Sequence, residues 1–338
     1  MKILYHITNL PPKISGTEAI LQEIEILRRV FGGDLFHINP NIHSPVYLPR
    51  LLFGFHLLRK IRRLENDLDL HHLYNADPFP FPVAHWFRRP VIYSISSGVG
   101  PRRPAVSYFN SMAAVTVSDE RSCERLQNWG VKNCHLVRPG IDTSKFSFYP
   151  VPLNSPFKLL FASAPWTLAQ FKTKGVETLL QALPQLPQVH LTCLWRGVLA
   201  DEMRRRVTQL NLESQVEIID KKVDVNALLS QMHATINLVE DPAVIRSYPH
   251  SLLESLVAGK PVVVSRTIPM ADYVEQTGCG VVVDSLTPAA TMAAVESLIA
   301  DYQTVQESAR AIGPHDFSQA AMVESFRQVY QQVLEAGA

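Results

Sequence analysis

Apolar and polar positions alternate in blocks along the whole chain. Residues 2–8 (KILYHIT) are an apolar run of strand length. A loop with two prolines and a glycine follows. In the next stretch, AILQEIEILRRVF, Ile20, Leu21, Ile24, Leu27 and Val30 recur at helical spacing. Strand, loop, helix is the opening unit of a doubly wound α/β domain. DLDLHHLY, PVIYSIS, AAVTVS and NCHLVRP read as further strands, and ERSCERLQNWG as a helix closed by Gly130. The stretch 146–158, FSFYPVPLNSPFK, has three prolines and little periodicity, which marks a boundary. Beyond it the alternation restarts. KLLFASA, HLTCLWRG, QVEIID, ATINLVE, PVVVS and GVVVD are the expected strands. GVETLLQALPQL, DEMRRRVTQLNL, VNALLSQM and SLLESLVAGK are the expected helices, and a long amphipathic helix, AAMVESFRQVYQQVLEA, ends the chain.

At 338 residues the chain is too long for one typical core. The pattern predicts two doubly wound α/β domains. Residues 1–150 form the first and 151–315 the second, and 316–338 form a terminal helix that crosses back to the first. In such folds ligands bind at the carboxyl ends of the strands, here in a cleft between the domains.

Composition narrows the function classes. No apolar run reaches membrane-spanning length, and the amino-terminal MKILYHITNL lacks the pattern of a signal peptide. The four cysteines (Cys123, Cys134, Cys193, Cys279) are scattered, which suggests neither a disulfide framework nor a zinc site and fits a reducing cytoplasm. Charge is uneven. Residues 1–150 carry 18 Lys+Arg against 12 Asp+Glu, and the remainder 14 against 19. The first half is therefore suited to an anionic partner, although chance produces asymmetry of this size as well. No aromatic-basic module accompanies the charge, which argues against nucleic acid.

Several segments, in order, resemble the retaining, nucleotide-sugar-dependent glycosyltransferases of family 4. The strongest is 115–146, VTVSDERSCERLQNWGVKNCHLVRPGIDTSKF, with strand, serine, helix, Gly-Val, strand and Pro-Gly-Ile-Asp. SLLESLVAGKPVVVS is similar to the family's leucine-glutamate helix and Gly-Lys-Pro turn. FKTKGVETLLQAL is similar to its Lys-Gly segment, SGTEAILQEIEILRR to the start of its first helix, and DFSQAAMVESFRQVYQQVL to its terminal helix. The resemblance implies a GT-B fold with two Rossmann-like domains, the first binding acceptor and the second donor. It also implies retaining hexosyl transfer to an acceptor hydroxyl, with no cofactor and no metal required for the chemistry. A GT-B phosphorylase or epimerase is a weaker fit to 115–146.

The resemblance also assigns residues. Glu254 would accept hydrogen bonds from the donor's ribose hydroxyls; a solvated glutamate on a helix face is the plainer reading. Tyr248, His250, Ser251 and Leu252 would frame a helix start whose free amides form an anion site for the diphosphate; Ser251 as a simple cap is compatible with that. Lys174 would hold the diphosphate as charge builds on the leaving group. Many relatives have a Gly-Arg pair upstream, absent from FASAPWTLAQF, and Lys172 or Arg246 are the candidates to replace it. The family's Glu-x7-Glu has Glu254 as its second glutamate, and counting back eight positions reaches Arg246, not glutamate. Arg246, with Lys174 the candidate catalytic pair, would then contact phosphate or an acidic sugar; a surface arginine in a shifted loop is the alternative. On the acceptor side stand Gly16 and Thr17 in the first strand–helix loop, and Ser96 and Ser97, with Ser96 where many relatives have a histidine. His71 and His72, at the end of a strand, are possible stand-ins for that histidine, although such residues more often pack or cap.

The segment 48–64, LPRLLFGFHLLRKIRRL, is apolar with five basic residues (Arg50, Arg59, Lys60, Arg62, Arg63). It reads as an amphipathic helix lying on an anionic membrane, or as a buried domain helix ending in a solvated basic turn. The expected partners are a UDP-, GDP- or ADP-linked sugar and a glycan or lipid-linked acceptor. The expected location is the cytoplasm, including the inner face of the membrane. The alternative from another class is a non-catalytic relative that kept the fold as a binding or scaffold protein. The missing glutamate, Gly-Arg pair and histidine support it.

Overall fold

The computed structural model describes residues 1–10, 19–42, 46–153, 156–195 and 198–336. Gly16 and Thr17 lie outside the described residues. The chain divides into two compact units, residues 1–140 with 319–338, and residues 141–318. The division falls at Gly140, ahead of the boundary expected near residue 150.

Unit 1 holds a six-stranded parallel sheet of β1 (Ile3–Ile7), β2 (Asp34–His37), β3 (Leu70–Asn75), β4 (Val91–Ile95), β5 (Ala114–Val117) and β6 (Cys134–Leu136). Their order is β2-β1-β3-β4-β5-β6, every pairing parallel. All residues of β1, β3, β4 and β5 are buried, as expected of strands covered on both faces, which read as continuous rather than alternating apolar runs. The helices are α1 (Ala19–Phe31), α2 (Leu58–Leu64), α3 (Val106–Asn110) and α4 (Glu120–Asn128). Gly130, at φ +98°, closes α4 with its amide on the Gln127 carbonyl, a left-handed cap that glycine adopts without strain.

Unit 2 repeats the design with β7 (Phe157–Phe161), β8 (Val189–Leu194), β9 (Val216–Ile219), β10 (Ala234–Asn237), β11 (Val262–Ser265) and β12 (Gly280–Val283), in the order β12-β11-β10-β7-β8-β9. Its helices are α5 (Ala169–Thr173), α6 (Val176–Ala182), α7 (Ala200–Gln209), α8 (Val225–Leu229), α9 (His250–Val257), α10 (Met270–Thr277), α11 (Pro288–Ala300) and α12 (Tyr302–Asp316). The Gly-Lys-Pro turn after α9 has a packing role. Lys260 is fully buried, and its ammonium donates to the Tyr149 carbonyl at 2.5 Å. Burial pulls its pKa down to about 8. The turn thereby anchors the proline-rich stretch at the start of unit 2.

α13 (Gln319–Ala336) belongs to unit 1. Its buried Met322, Phe326, Val329, Tyr330 and Val333 recur at helical spacing and join Ile3, Tyr5, Ile24, Leu27 and Tyr74 in one core. Gly140 lets this helix start close by: a Cβ there would stand 2.9 Å from the Gln319 Cα. No helix among the described residues is long and apolar enough to cross a membrane.

The segment 48–64 is not one amphipathic helix. It forms two 3-10 turns (Arg50–Leu52 and Phe55–Leu57) and then the seven-residue α2. The break falls at Gly54, whose φ of +86° and whose approach to Val83, 2.8 Å from an ideal Cβ, stop a continuous helix.

Candidate functional site

The strand order of unit 2 locates its ligand crevice without reference to any motif. From β7 the chain winds outward to β8 and β9, then returns to the other flank of β7 with β10. Right-handed crossovers in both directions place the following helices on opposite faces. The carboxyl ends of β7 and β10 are therefore the switch point, where open α/β sheets bind ligands.

Lys174 lies just past the carboxyl end of β7, at the end of α5, and is partly buried. Its Nζ donates to the Ala164 carbonyl at 3.0 Å in the loop after β7, and burial lowers its pKa. Gly175 follows at φ +65°, and an ideal Cβ there would stand 2.5 Å from the Leu238 Cβ. The Glu240 amide donates to the Thr173 carbonyl at 2.9 Å. Only glycine permits this approach, and it sets Lys174 against the loop that follows β10. Lys172 is exposed on α5.

The loop from Leu238 to Pro249 leads into α9. Its beginning is pinned by Ser265, which accepts the Val239 amide at 2.8 Å and donates to the Val239 carbonyl at 3.1 Å. Arg246 is exposed in this loop, and no ion-pair partner for it occurs among the described residues. Tyr248 is 5% exposed and packs against Tyr273 and Phe317, so its ring is part of the core. α9 opens at Pro249 without a side-chain cap. The expectation of three free amides is corrected here: the Leu252 amide donates to the Pro249 carbonyl at 3.0 Å, and its side chain is fully buried. The amides of His250 and Ser251 have no acceptor among the described residues. Glu254, one turn further on, keeps its side chain 27% exposed, with Oε1 3.8 Å from the Nδ1 of His250. The structure thus brings Lys174 and the Arg246–Glu254 stretch to the ends of adjacent strands. It adds Asn237, the last residue of β10, whose Oδ1 is buried with no hydrogen-bond partner among the described residues. A polar residue ending an apolar strand was the available signal for it.

In unit 1 the switch point lies between β1 and β3. The Thr8 hydroxyl donates to the Asn75 Oδ1 at 2.5 Å, and the Asn75 amide donates to the Asp77 carboxylate at 2.7 Å. Arg50 forks onto the same carboxylate at 2.5 and 3.1 Å, with its guanidinium 4.1 Å above the Phe79 ring. Burial pushes the Asp77 carboxyl up, but the hydrogen bonds and charge of Arg50, with the Asn75 amide, together outweigh burial and hold it below its usual range. Ser96 and Ser97 follow β4, with amides donated to the carbonyls of Asn75 and Ala76 at 2.9 and 3.0 Å; Ser97 is exposed. Arg50, Asn75 and Asp77 carried no sequence signal of this role.

His71 and His72 are not at a strand end. They lie in the amino-terminal half of β3 and are fully buried. His71 bonds the Glu65 carboxylate at 3.1 Å and His6 at 3.0 Å; His72 bonds the Tyr330 hydroxyl at 2.8 Å and Ser94 at 2.7 Å. Burial depresses all three imidazoles, His6 well below its ordinary value, His71 to about 4 and His72 to about 3. They are core residues held neutral.

Residues 168–314, all within unit 2, match the family model described as glycosyl transferases group 1. No curated protein matches the chain. Among solved structures, HepE from Anabaena in complex with UDP is 16% identical with a TM-score of 0.73, over 98% of this chain and 100% of that one. The sucrose-phosphate synthase of Thermosynechococcus elongatus is 17% identical with a TM-score of 0.71, over 99% and 100%. The lipopolysaccharide outer core galactosyltransferase WaaB, in its apo form, is 12% identical with a TM-score of 0.74, over 97% and 99%. At these identities the likeness is one of fold. The chain has the two-sheet architecture of the GT-B glycosyltransferases, and its second unit carries the group 1 glycosyl transferase match across residues 168–314.

Proposed function

We propose that the protein is a retaining glycosyltransferase that moves a hexosyl group from a nucleotide sugar to an acceptor hydroxyl. The observation that carries this reading is the coincidence of the family match with the switch point of unit 2, where Lys174 and Glu254 both lie. In this reading Glu254 accepts hydrogen bonds from the ribose diol, and Lys174 with the free amides of His250 and Ser251 faces the diphosphate. The bond from the sugar's anomeric carbon to the diphosphate oxygen breaks. The acceptor oxygen bonds to the same face, and its proton passes to the departing oxygen. Lys174 then acts by stabilising the charge that grows on that oxygen.

The HepE complexes with UDP and UDP-glucose support a uridine nucleotide as the first donor to test. WaaB, named for lipopolysaccharide, supports a polysaccharide or lipid-linked acceptor. Exposed Val46, Tyr47, Leu51, Leu52 and Trp86, with exposed Arg59, Lys60 and Arg63 on α2, suit an acceptor presented at an anionic membrane. Arg246 contacts either the diphosphate or an acidic donor sugar, in place of the glutamate that relatives carry.

A panel of UDP-, GDP- and ADP-sugars tests the reading through slow release of free sugar. Turnover of one donor, reduced in Arg246→Ala, is the expected result. Tight nucleotide binding with no hydrolysis or transfer would instead identify a non-catalytic binding protein. Unchanged turnover in Arg246→Ala would remove that residue from the site.

A further inference from the structure

Cys123 and Cys134 are the two cysteines of the chain that are not fully buried. Cys123 stands in the first turns of α4 and Cys134 opens β6, the edge strand of the unit 1 sheet. Their sulfurs are 3.2 Å apart, both as free thiols. A disulfide requires about 2.0 Å, so an approach of roughly 1.2 Å through side-chain rotation closes the bond. The Gln127 side-chain amide is 3.6 Å from the Cys123 sulfur and donates to it. The hydrogen bond from Cys134 brings the Cys123 pKa below its ordinary value, against burial and the nearby carboxylates of Asp119, Glu124 and Glu120, while Cys134 is pushed up.

We propose that Cys123 and Cys134 form a thiol–disulfide exchange site that is oxidised by a low-molecular-weight disulfide of the glutathione class. The Cys123 thiolate attacks one sulfur of the small disulfide and expels a thiolate, leaving a mixed disulfide. Cys134, losing its proton, attacks the Cys123 sulfur and expels the second thiolate. Both leaving groups take up protons. The protein pair loses two electrons and two protons, and the small disulfide becomes two thiols. The bridge joins α4 to the sheet edge. α4 is also the helix that holds Val99, whose amide donates to the Ser122 hydroxyl at 2.9 Å and whose carbonyl accepts from the Arg125 guanidinium. Oxidation therefore fixes the support of the loop that bears Ser96 and Ser97.

The test uses the folded, full-length protein incubated with oxidised glutathione, then alkylated, digested and analysed by mass spectrometry. The expected result is a Cys123–Cys134 cross-linked peptide that dithiothreitol reverses, with no lasting glutathione adduct and with Cys193 and Cys279 still free. Cys134→Ser should instead retain glutathione on Cys123, and Cys123→Ser should accumulate neither product. Four free thiols in the native wild type would overturn the proposal, as would a stable adduct at Cys123 in the presence of Cys134. The wild-type measurement decides even if a variant folds poorly.

Discussion

At the switch point of unit 2, Lys174 reaches only a neutral carbonyl among the described residues, Arg246 faces solvent, and Glu254 stands 3.8 Å from the His250 imidazole. At the switch point of unit 1, Arg50 and Asp77 close on each other at 2.5 Å, and Asn75 and Thr8 complete the network. The two sheets share a winding plan but differ in how their strand ends are furnished. Charge left uncompensated beside a crevice is available to an anionic ligand, whereas a closed fork of arginine and carboxylate spends its hydrogen bonds on holding the protein. Similar topology marks where a ligand can bind, and the state of the side chains marks which ligand chemistry suits the place.

Removing Lys174 should separate the two strand ends most strongly. Lys174→Ala is expected to lower sugar transfer about 10²- to 10³-fold, the scale of losing one group that stabilises developing charge. Arg50→Ala should leave the release of sugar from the donor within a few fold, since its partners are internal. Steady-state kinetics of both variants checks this, and equal losses would erase the contrast. Gly175→Ala comes next. It forces a side chain into φ +65° and against Leu238, a strain of about 1–3 kcal/mol. The melting temperature should fall, and nucleotide affinity with it, because Lys174 is the adjoining residue. A variant as stable as wild type would show that the approach to Leu238 is not required.

Acid should act on unit 1 through its buried imidazoles. Folded pKa values of about 4 and 3 for His71 and His72 lie below the ordinary 6.5 of an exposed imidazole. Between these values the unfolded chain binds protons that the folded chain does not. Stability from this source is complete well above pH 6.5 and is lost progressively as pH falls towards 4 for His71 and towards 3 for His72. Thermal melts across that range should show the decline, and His72→Gln should make it shallower. A profile unchanged by that substitution would mean that this imidazole does not titrate on unfolding. The effect is the smallest of the three, and it is spread over several groups, because His233 of unit 2 is also depressed by burial, to about 4.

Much of the architecture was legible because buried parallel strands such as PVVVS and ATINLVE are continuous apolar runs flanked by loops. The charged residues proposed for the unit 2 site could be named for a related reason: Lys-Gly and the leucine-glutamate helix are local patterns, and Lys174 and Glu254 each lie within one of them. The unit 1 network was not legible. Arg50, Asn75 and Asp77 come from separate segments, and only folding brings them together. His71 and His72 were placed at a strand end because the periodicity fixes that a strand exists more firmly than where it stops. The burial of His72 follows from α13, more than 240 positions along the chain, whose Tyr330 hydroxyl bonds it, and His71 is buried against Glu65, His6 and Phe87. The break of 48–64 at Gly54 depends on contact with Val83, which no local pattern contains.

In the proposed function a nucleoside diphosphate binds at the ends of β7 and β10 through Lys174 and Glu254. Thermal unfolding with and without UDP, in wild type, Glu254→Ala, Lys174→Ala and Arg50→Ala, tests it most directly. At 100 times its dissociation constant UDP should stabilise the wild type by about 2.7 kcal/mol. Losing a charged hydrogen bond worth roughly 1.5–3 kcal/mol should weaken binding about 10- to 150-fold and remove about half of that shift or more in the first two variants. Arg50→Ala should retain it. A UDP shift that survives intact in both Glu254→Ala and Lys174→Ala, or the absence of a shift with UDP, GDP and ADP alike, would contradict the account.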